Sequence, residues 1–271
     1  MNKIIALGPG KSSLDFKNDG TYKVLAFQRV FPHCVEHLNV FPDYWTCGDP
    51  YAFMEGFDYL LKNKNLSTNN LKILMPDAFL SDMNTYRKSF GTTPLMRMQD
   101  GWQKLISMTK QISNYYEVKS VPVVTTKFLQ LHTKDNNELK MIFDENQEFI
   151  RFMTEKVVFG TVKFDSETVA GFRFKWGLEN KLTSNVLPIC HYLGSSKVKI
   201  YGFDYRGPRF YSPDARHPWN DETQEGSEVI EFSLKILKTW LEWKNIHGME
   251  IVSGTEDIIS LPNKLLKYES N

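Results

Sequence analysis

The 271-residue chain has little cysteine, no excess of charge and no long apolar run. Its 3 cysteines are odd in number and widely spaced, which excludes a disulfide framework and favours a reducing compartment, the cytoplasm. No stretch approaches the roughly 18 apolar residues of a membrane span, and the apolar run Ile4–Leu7 is too short for a signal-peptide core. A peripheral position at the inner face of a membrane is compatible with this composition.

Basic and acidic residues balance, with 33 Lys and Arg against 32 Asp and Glu. A nucleic-acid partner is therefore not expected, since binding to the phosphate backbone requires a basic surface. Aromatic residues make up 14% of the chain, which suits a packed core and also suits a carbohydrate-binding cleft.

Apolar stretches and helical patterns alternate along the chain, which predicts an α/β fold with a mostly parallel sheet flanked by helices. The predicted strands are Lys3–Leu7, Lys23–Gln28, Tyr44–Cys47, Lys72–Met75, Val121–Thr125, Val157–Lys163, Lys197–Phe203 and Glu250–Val252. The predicted helices are Ala52–Leu61, Gln99–Val118, Asn137–Lys156, Asn180–Leu193 and Glu225–Asn245. We expect one domain over residues 1–271.

A long loop is predicted over Asp204–Gln224, after one of the strands. Compact domains seldom contain irregular loops of this length, and this one is rich in aromatic and charged side chains. We interpret it as an active-site lid within the domain.

A glycine-rich turn, Gly8–Ser13, follows the first predicted strand. It is not a P-loop, because Ile5 stands where that motif needs glycine, and it lacks the third glycine or alanine of a dinucleotide fingerprint. Two interpretations remain: an ordinary strand-to-helix turn, or a cradle whose backbone N–H groups and hydroxyls face a nucleotide. The candidate binding residues of the turn are Gly8, Gly10, Ser12 and Ser13.

Further short motifs follow in order: Asp49-Pro50, Lys181, Thr183-Ser184-Asn185, Gly202-Phe203-Asp204-Tyr205, Tyr211 and His217. With the first turn, this series resembles the family-42 bacterial sialyltransferases and the wider group of proteins that share their fold. The family's first turn reads Gly-Asn-Gly-Pro-Ser-Leu, and its asparagine at the end of the second strand falls near Gln28. Its Asn-Pro falls on Asp49-Pro50, and its arginine before Thr-Ser-Gly falls on Lys181. Its Gly-Ile-Asp-Phe-Tyr falls on Gly202–Tyr205, and its catalytic histidine falls on His217.

The resemblance implies a variant glycosyltransferase A fold, which is Rossmann-like, and an inverting transfer of sialic acid from CMP to a sugar hydroxyl. It also implies a nucleotide sugar and a glycan acceptor as partners, no cofactor, and a homo-oligomer. The sequence contains no Asp-x-Asp pair, with which metal-dependent sugar transferases generally hold Mg²⁺ or Mn²⁺. This agrees with the resemblance, which implies a metal-independent enzyme whose donor carries sialic acid or a Kdo-like acidic sugar.

Each candidate residue has a chemical role in such a transfer. His217 suits a general base, because histidine titrates near neutral pH, although it is also readable as a loop histidine without a role. The hydroxyls of Tyr205 and Tyr211, with Arg209 and Lys181, suit stabilisation of the departing phosphate, whereas the tyrosines alternatively pack the loop.

The remaining candidates are predicted to bind the donor. Ser184 and Asn185 either contact nucleotide or sugar or cap a helix. Asp204 is a predicted acceptor for a ribose or sugar hydroxyl. The resemblance adds Gln28, Asp49 and Thr183 to the binding residues.

Two other functions stay open. Proteins of the wider group include pterin diphosphokinases, which use ATP and Mg²⁺, and Asp49 in place of asparagine is compatible with that chemistry. A non-catalytic nucleotide- or glycan-binding protein would account for the altered first turn and for Lys181.

His33, Cys34 and His37, with Cys47 nearby in sequence, suggest zinc at first sight. The two histidines share a helix face, but the spacing of the other ligands matches no closed zinc site. No metal ligand is therefore predicted.

Overall fold

The computed structural model describes residues 2–47, 50–68, 70–76, 99–121, 182–216, 230–256 and 260–270, with residues 232, 235, 236, 239 and 243 excepted. The strands are β1 (Asn2–Leu7), β2 (Lys23–Phe27), β3 (Tyr44–Thr46), β4 (Lys72–Pro76), β5 (Glu117–Val121), β6 (Ser195–Tyr201), β7 (Pro208–Arg209), β8 (Ser212–Arg216) and β9 (Glu250–Ser253). The α-helices are α1 (Val30–His37), α2 (Pro50–Lys62), α3 (Gln99–Ile112), α4 (Leu187–Tyr192) and α5 (Lys244–His247). Short 3₁₀ helices cover Lys11–Asp15, Lys64–Thr68 and Leu261–Lys264.

Seven of these strands form one parallel sheet in the order β5-β4-β3-β2-β1-β6-β9. The prediction of an α/β fold with a mostly parallel sheet flanked by helices is thus confirmed. From β1 the chain proceeds outward to β5, and it later returns to place β6 on the other side of β1. The order of strands therefore reverses direction between β1 and β6.

Both faces of the sheet are covered, as a parallel sheet requires. Alternate residues of β1 enter different cores: Ile5 and Leu7 join a cluster with α1, α2 and α3, whereas Ile4 and Ala6 join a cluster with α4. Most described residues between 230 and 242 are helical, and Trp240 of that stretch is fully buried in the second cluster.

Three sequence-based predictions of elements need correction. The predicted helix Gln99–Val118 ends at Ile112, and Glu117–Val121 is a strand; of the predicted strand Val121–Thr125, Val121 alone is among the described residues. A strand at the end of a sheet tolerates polar side chains, so Glu117–Val121 lacks the apolar pattern that would reveal it. The predicted loop Asp204–Gln224 contains the antiparallel ribbon β7–β8. The predicted helix Asn180–Leu193 begins with a π-helical turn, Leu182–Val186.

Two predicted elements, Asn137–Lys156 and Val157–Lys163, lie outside the described residues. Among the residues that are described, no helix combines the length and the apolar character needed to cross a bilayer.

Trp45 is the centre of the first core. Its ring stacks on Phe31 with a centroid distance of 4.9 Å and also contacts Phe53 and Phe57. A Cβ atom at Gly56 of α2 would collide with the same indole ring. The helix therefore approaches the sheet at a distance that only glycine permits.

We expect Gly56→Ala to lower the free energy of unfolding by about 1–3 kcal/mol, the usual cost of overpacking. This is opposite to the gain of about 0.5–1 kcal/mol that alanine gives over glycine inside an unobstructed helix. Urea denaturation of Gly56→Ala, Trp45→Phe and the double variant measures the coupling. The smaller phenyl ring should reduce the cost, and an equal cost in both backgrounds would contradict the proposed collision.

The segment after β9 is bound to the sheet by charge. Glu269 pairs with Lys197, lies 3.7 Å from the Nζ atom of Lys199 and accepts a hydrogen bond from the Tyr22 hydroxyl. Lys199 is only 1% exposed, and its Nζ atom also lies 5.0 Å from the centre of the Tyr22 ring. Burial draws the pKa of Glu269 upward, but hydrogen bonds from Lys197 and Tyr22 outweigh it and hold that pKa below its ordinary value.

A carboxylate whose pKa is depressed by folding stabilises the native state above its unfolded-state pKa, and this contribution is lost as the pH falls through the folded-state pKa. We expect Glu269→Gln to cost about 1–2 kcal/mol at neutral pH, below the full cost of a broken buried pair because the side chain is partly exposed. It should also weaken the acid-induced loss of stability below about pH 4.5. Urea denaturation at a series of pH values measures both effects, and Glu117→Gln, which removes the exposed pair with Lys72, is the control. If Glu269→Gln loses as much stability at acidic pH as the unaltered chain does, the stabilising role of the Glu269 carboxylate is refuted.

Candidate functional site

The ends of β1 and β6 form the candidate site, because ligands of open α/β sheets bind outside the carboxyl ends of strands where the strand order reverses. The glycine turn follows β1, and Gly202-Phe203-Asp204 follows β6. The turn at Gln28 follows the neighbouring strand β2. Three segments that contain candidate binding residues therefore lie together at the carboxyl ends of the strands.

Backbone hydrogen bonds hold the first two segments together. The N–H of Gly8 donates to the carbonyl of Tyr201 at 2.8 Å, and the N–H of Gly10 donates to the carbonyl of Gly202 at 2.7 Å. Gly202 has φ 73°, and a Cβ atom there would collide with Gly8 and Ser13. Glycine is required at this crossing by both conformation and space.

Ser12 and Asp204 join the same two segments through their side chains. The backbone N–H of Ser12 donates to Asp204 Oδ2 at 2.9 Å, and its hydroxyl donates to Asp204 Oδ1. The Ser12 hydroxyl also accepts a 2.8 Å hydrogen bond from the N–H of Gly202, while the Ser13 hydroxyl donates to the carbonyl of Gly8. Both hydroxyls are therefore engaged inside the protein, whereas the predicted roles of Ser12, Ser13 and Asp204 toward a ligand stay predictions.

The ribbon β7–β8 lies against the glycine turn. Arg209 forms an antiparallel bridge with Gly10, and the N–H of Phe210 donates to the carbonyl of Pro9 at 3.0 Å. The Nε atom of Arg209 is enclosed and has no hydrogen-bond partner within the described part of the chain. An enclosed guanidinium donor beside a glycine turn is a chemical feature suited to an anion.

Tyr211 lies at the tip of the ribbon and contacts α1. Its ring stacks on His33 with a centroid distance of 3.8 Å and an interplanar angle of 12°. Burial raises the pKa of the Tyr211 hydroxyl, although the neighbouring Arg209 opposes the shift, so that the hydroxyl is a protonated donor at neutral pH. Burial likewise lowers the pKa of His33, which keeps this imidazole neutral there.

Gln28 occupies a strained position after β2. Its φ is 62°, a left-handed conformation that is uncommon for residues other than glycine and is often found at functional sites. The indole N–H of Trp45 donates to the Gln28 carbonyl at 2.9 Å, and the Gln28 N–H donates to the carbonyl of Thr46. Trp45 was not selected from the sequence, where it is indistinguishable from other core aromatics.

Arg29 and Glu55 were also missed. They pair at 2.6 Å between the start of α1 and α2, and their charges act in opposite directions on the pKa of Tyr211, which Arg29 lowers and Glu55 raises. Only contacts in three dimensions reveal this role, because neither residue belongs to a recognisable motif.

Tyr205 and Thr183 are both buried. Tyr205 is buried in the second core with φ 63°, and burial raises the pKa of its hydroxyl strongly, although a hydrogen bond with Ser233 opposes the shift. Thr183 is fully buried in the π-helical turn, an uncommon element that is frequently associated with function. Their roles toward phosphate and donor stay predictions.

Several candidates cannot be placed from the described residues. Lys181, Asp49 and the predicted general base His217 lie outside them. Ser184 and Asn185 belong to the π-helical turn, but only their backbone is described.

No protein-family model and no curated protein matches the chain. Solved structures with a similar overall course include the monofunctional α-2,3-sialyltransferase Cst-I from Campylobacter jejuni, with 14% identity and a TM-score of 0.45 over 99% of this chain and 80% of that chain. They also include the sialyltransferase CstII from Campylobacter jejuni in complex with cytidine-5'-monophosphate, with 12% identity and a TM-score of 0.46 over 100% of this chain and 86% of that chain.

We expect Ser12→Ala to lower the free energy of unfolding by about 1–3 kcal/mol, because it removes a donor to a buried carboxylate and the acceptor of the Gly202 N–H. Asp58→Asn is the control, since its pair with Lys62 is exposed and such helical pairs contribute about 0.3–0.5 kcal/mol. Urea denaturation provides both values. Equal, small effects of the two variants would show that the Ser12–Asp204 contact does not stabilise the fold.

Proposed function

We propose that the protein is a metal-independent inverting glycosyltransferase that moves an acidic sugar, sialic acid or a Kdo-like sugar, from a CMP-activated donor to a glycan hydroxyl. The observation that supports it best is the meeting of the glycine turn, Gly202–Asp204 and Arg209 at the reversal point of the sheet. This is the place where a parallel sheet binds a nucleotide. The ordered motifs of the sequence, which resemble family-42 sialyltransferases, select the nucleotide and the chemistry.

Arg209 is the described residue best suited to the leaving group. As the bond to the anomeric carbon breaks, negative charge grows on the phosphate of CMP and is stabilised by preorganised donors. The guanidinium of Arg209 and the protonated hydroxyl of Tyr211 are neighbouring donors on the ribbon, and the Arg209 Nε atom is without a partner among the described residues. Tyr205, which is buried in the second core, is a further candidate donor to the same phosphate.

The acceptor hydroxyl has to lose a proton as it attacks. In this proposal His217, which follows β8 directly along the chain, takes that proton as general base. The CMP moiety departs from the opposite face of the sugar, so that the configuration at the anomeric carbon inverts. In this proposal Asp204 also accepts a hydrogen bond from a ribose or sugar hydroxyl, since a carboxylate can accept about four in all.

The deciding experiment incubates the protein with CMP-sialic acid and with CMP-Kdo, with and without EDTA, and measures the release of CMP. We expect turnover that survives EDTA, and a rise in melting temperature with CMP alone. Turnover of ATP that needs Mg²⁺ would favour a diphosphokinase instead. Binding of CMP without turnover of any donor would favour a non-catalytic binding protein, and neither binding nor turnover would refute the proposal.

Two variants separate the assigned roles. We expect His217→Ala to abolish turnover with CMP binding nearly unchanged, whereas Arg209→Gln should lower kcat by about 10²–10³-fold, as the loss of one charge-stabilising donor does. Arg206→Gln is the matched control for Arg209→Gln, because it removes a charge from the same segment, and it should leave kcat nearly unchanged. Loss of CMP binding together with activity in His217→Ala would contradict the role of general base.

A further inference from the structure

Three side chains of α1 face one another on its surface. His33, Glu36 and His37 stand at positions i, i+3 and i+4 of the helix, which lie on one face. One ligand atom from each lies within 4.8 Å of the others, and the two imidazole rings are 5.5 Å apart between centroids. The Nδ1 atom of His33 lies 3.6 Å from Glu36 Oε2.

The first histidine of this trio is held in place by its surroundings. Its ring stacks on Tyr211 of the ribbon, and the ring of His37 lies 6.2 Å from that of Phe210, nearly perpendicular to it. The Nδ1 atom of His33 is enclosed and has no hydrogen-bond partner among the described residues. A buried nitrogen without a hydrogen bond costs free energy, and a bound ion would remove this cost.

We propose that His33, Glu36 and His37 form a binding site for a divalent transition-metal ion, most naturally Zn²⁺. Two imidazoles and one carboxylate are a ligand set that zinc accepts, with water in the remaining position. A hard ion such as Mg²⁺ prefers oxygen ligands and is not expected to bind there. Cys34 is not a ligand, since it is fully buried in the first core.

The position of this site gives it a structural role. An ion bound to His33 and His37 would fix two rings against which the tip of the ribbon packs, and would thereby link α1 to Phe210 and Tyr211. The ion would take no part in the chemistry of the proposed transfer, which needs no metal. The order His-x-x-Glu-His also occurs in a class of zinc peptidases, so the spacing is known to bring two imidazoles to one ion.

The test uses the full chain without a polyhistidine tag, freed of metal by a chelator. Titration with Zn²⁺ is followed by calorimetry, and titration with Co²⁺ is followed by its visible absorption, whose intensity reports the coordination geometry of the bound ion. We expect one ion per chain, a rise in melting temperature with Zn²⁺, and no binding of Mg²⁺ under the same conditions.

His37→Ala and His33→Phe should each weaken the apparent dissociation constant for Zn²⁺ at least about tenfold, because even outer-shell changes cost about 10–100-fold. His33→Phe retains a ring to stack on Tyr211, and His37 is exposed, so His37→Ala decides the outcome if His33→Phe fails to fold. His191→Gln, on α4, is the control and should bind as the unaltered chain does. The absence of Zn²⁺ binding, or equal binding by the His37→Ala variant, would overturn the proposal.

Discussion

The hydrogen bonds between Ser12 and Asp204 connect two loops that are 192 residues apart along the chain. A buried carboxylate needs partners, and here the backbone and the hydroxyl of one serine supply them at once. Because the same hydroxyl accepts from the N–H of Gly202, the turns after β1 and β6 have one mutual arrangement. The ribbon with Arg209 then builds on that arrangement through Gly10.

A series of aromatic contacts extends this edge toward the helices. Trp45 of β3 holds the Gln28 carbonyl through its indole nitrogen and stacks on Phe31 of α1. Two residues further along the same helix, His33 stacks on Tyr211 of the ribbon. Helix α1 thus packs against the sheet through Phe31 and against the ribbon β7–β8 through His33. Because these rings are closely packed, a substitution of one of them would also shift its neighbours.

The sequence was sufficient for the architecture because central strands such as β1 and β2 are buried on both faces and contain uninterrupted apolar runs, as Ile4–Leu7 does. It failed at β5, where an edge strand exposes Glu117 and other polar residues and so lacks that signal. It also failed at the ribbon, whose two-residue strand β7 is too short for a periodic pattern.

The candidate site was predictable in part. The glycine turn and Gly202–Asp204 were recognisable because strand ends in an α/β fold are where loops converge. The partnership of Ser12 with Asp204 was not, since a serine that binds a phosphate and a serine that binds a buried carboxylate have the same neighbours in sequence. The stacking of His33 on Tyr211 joins segments with no shared motif, and only the folded chain brings them together.

The position of β1 at the reversal point has a consequence for biosynthesis. One edge of this strand can pair with β2 as soon as residue 27 has been synthesised, but its other edge waits for β6, which ends at Tyr201. Closing so long a loop is slow, because contacts distant in sequence form late. In the interval the nascent polypeptide presents an apolar strand with one unpaired backbone edge, which invites self-association, so its production in cells should depend on chaperone capacity during translation.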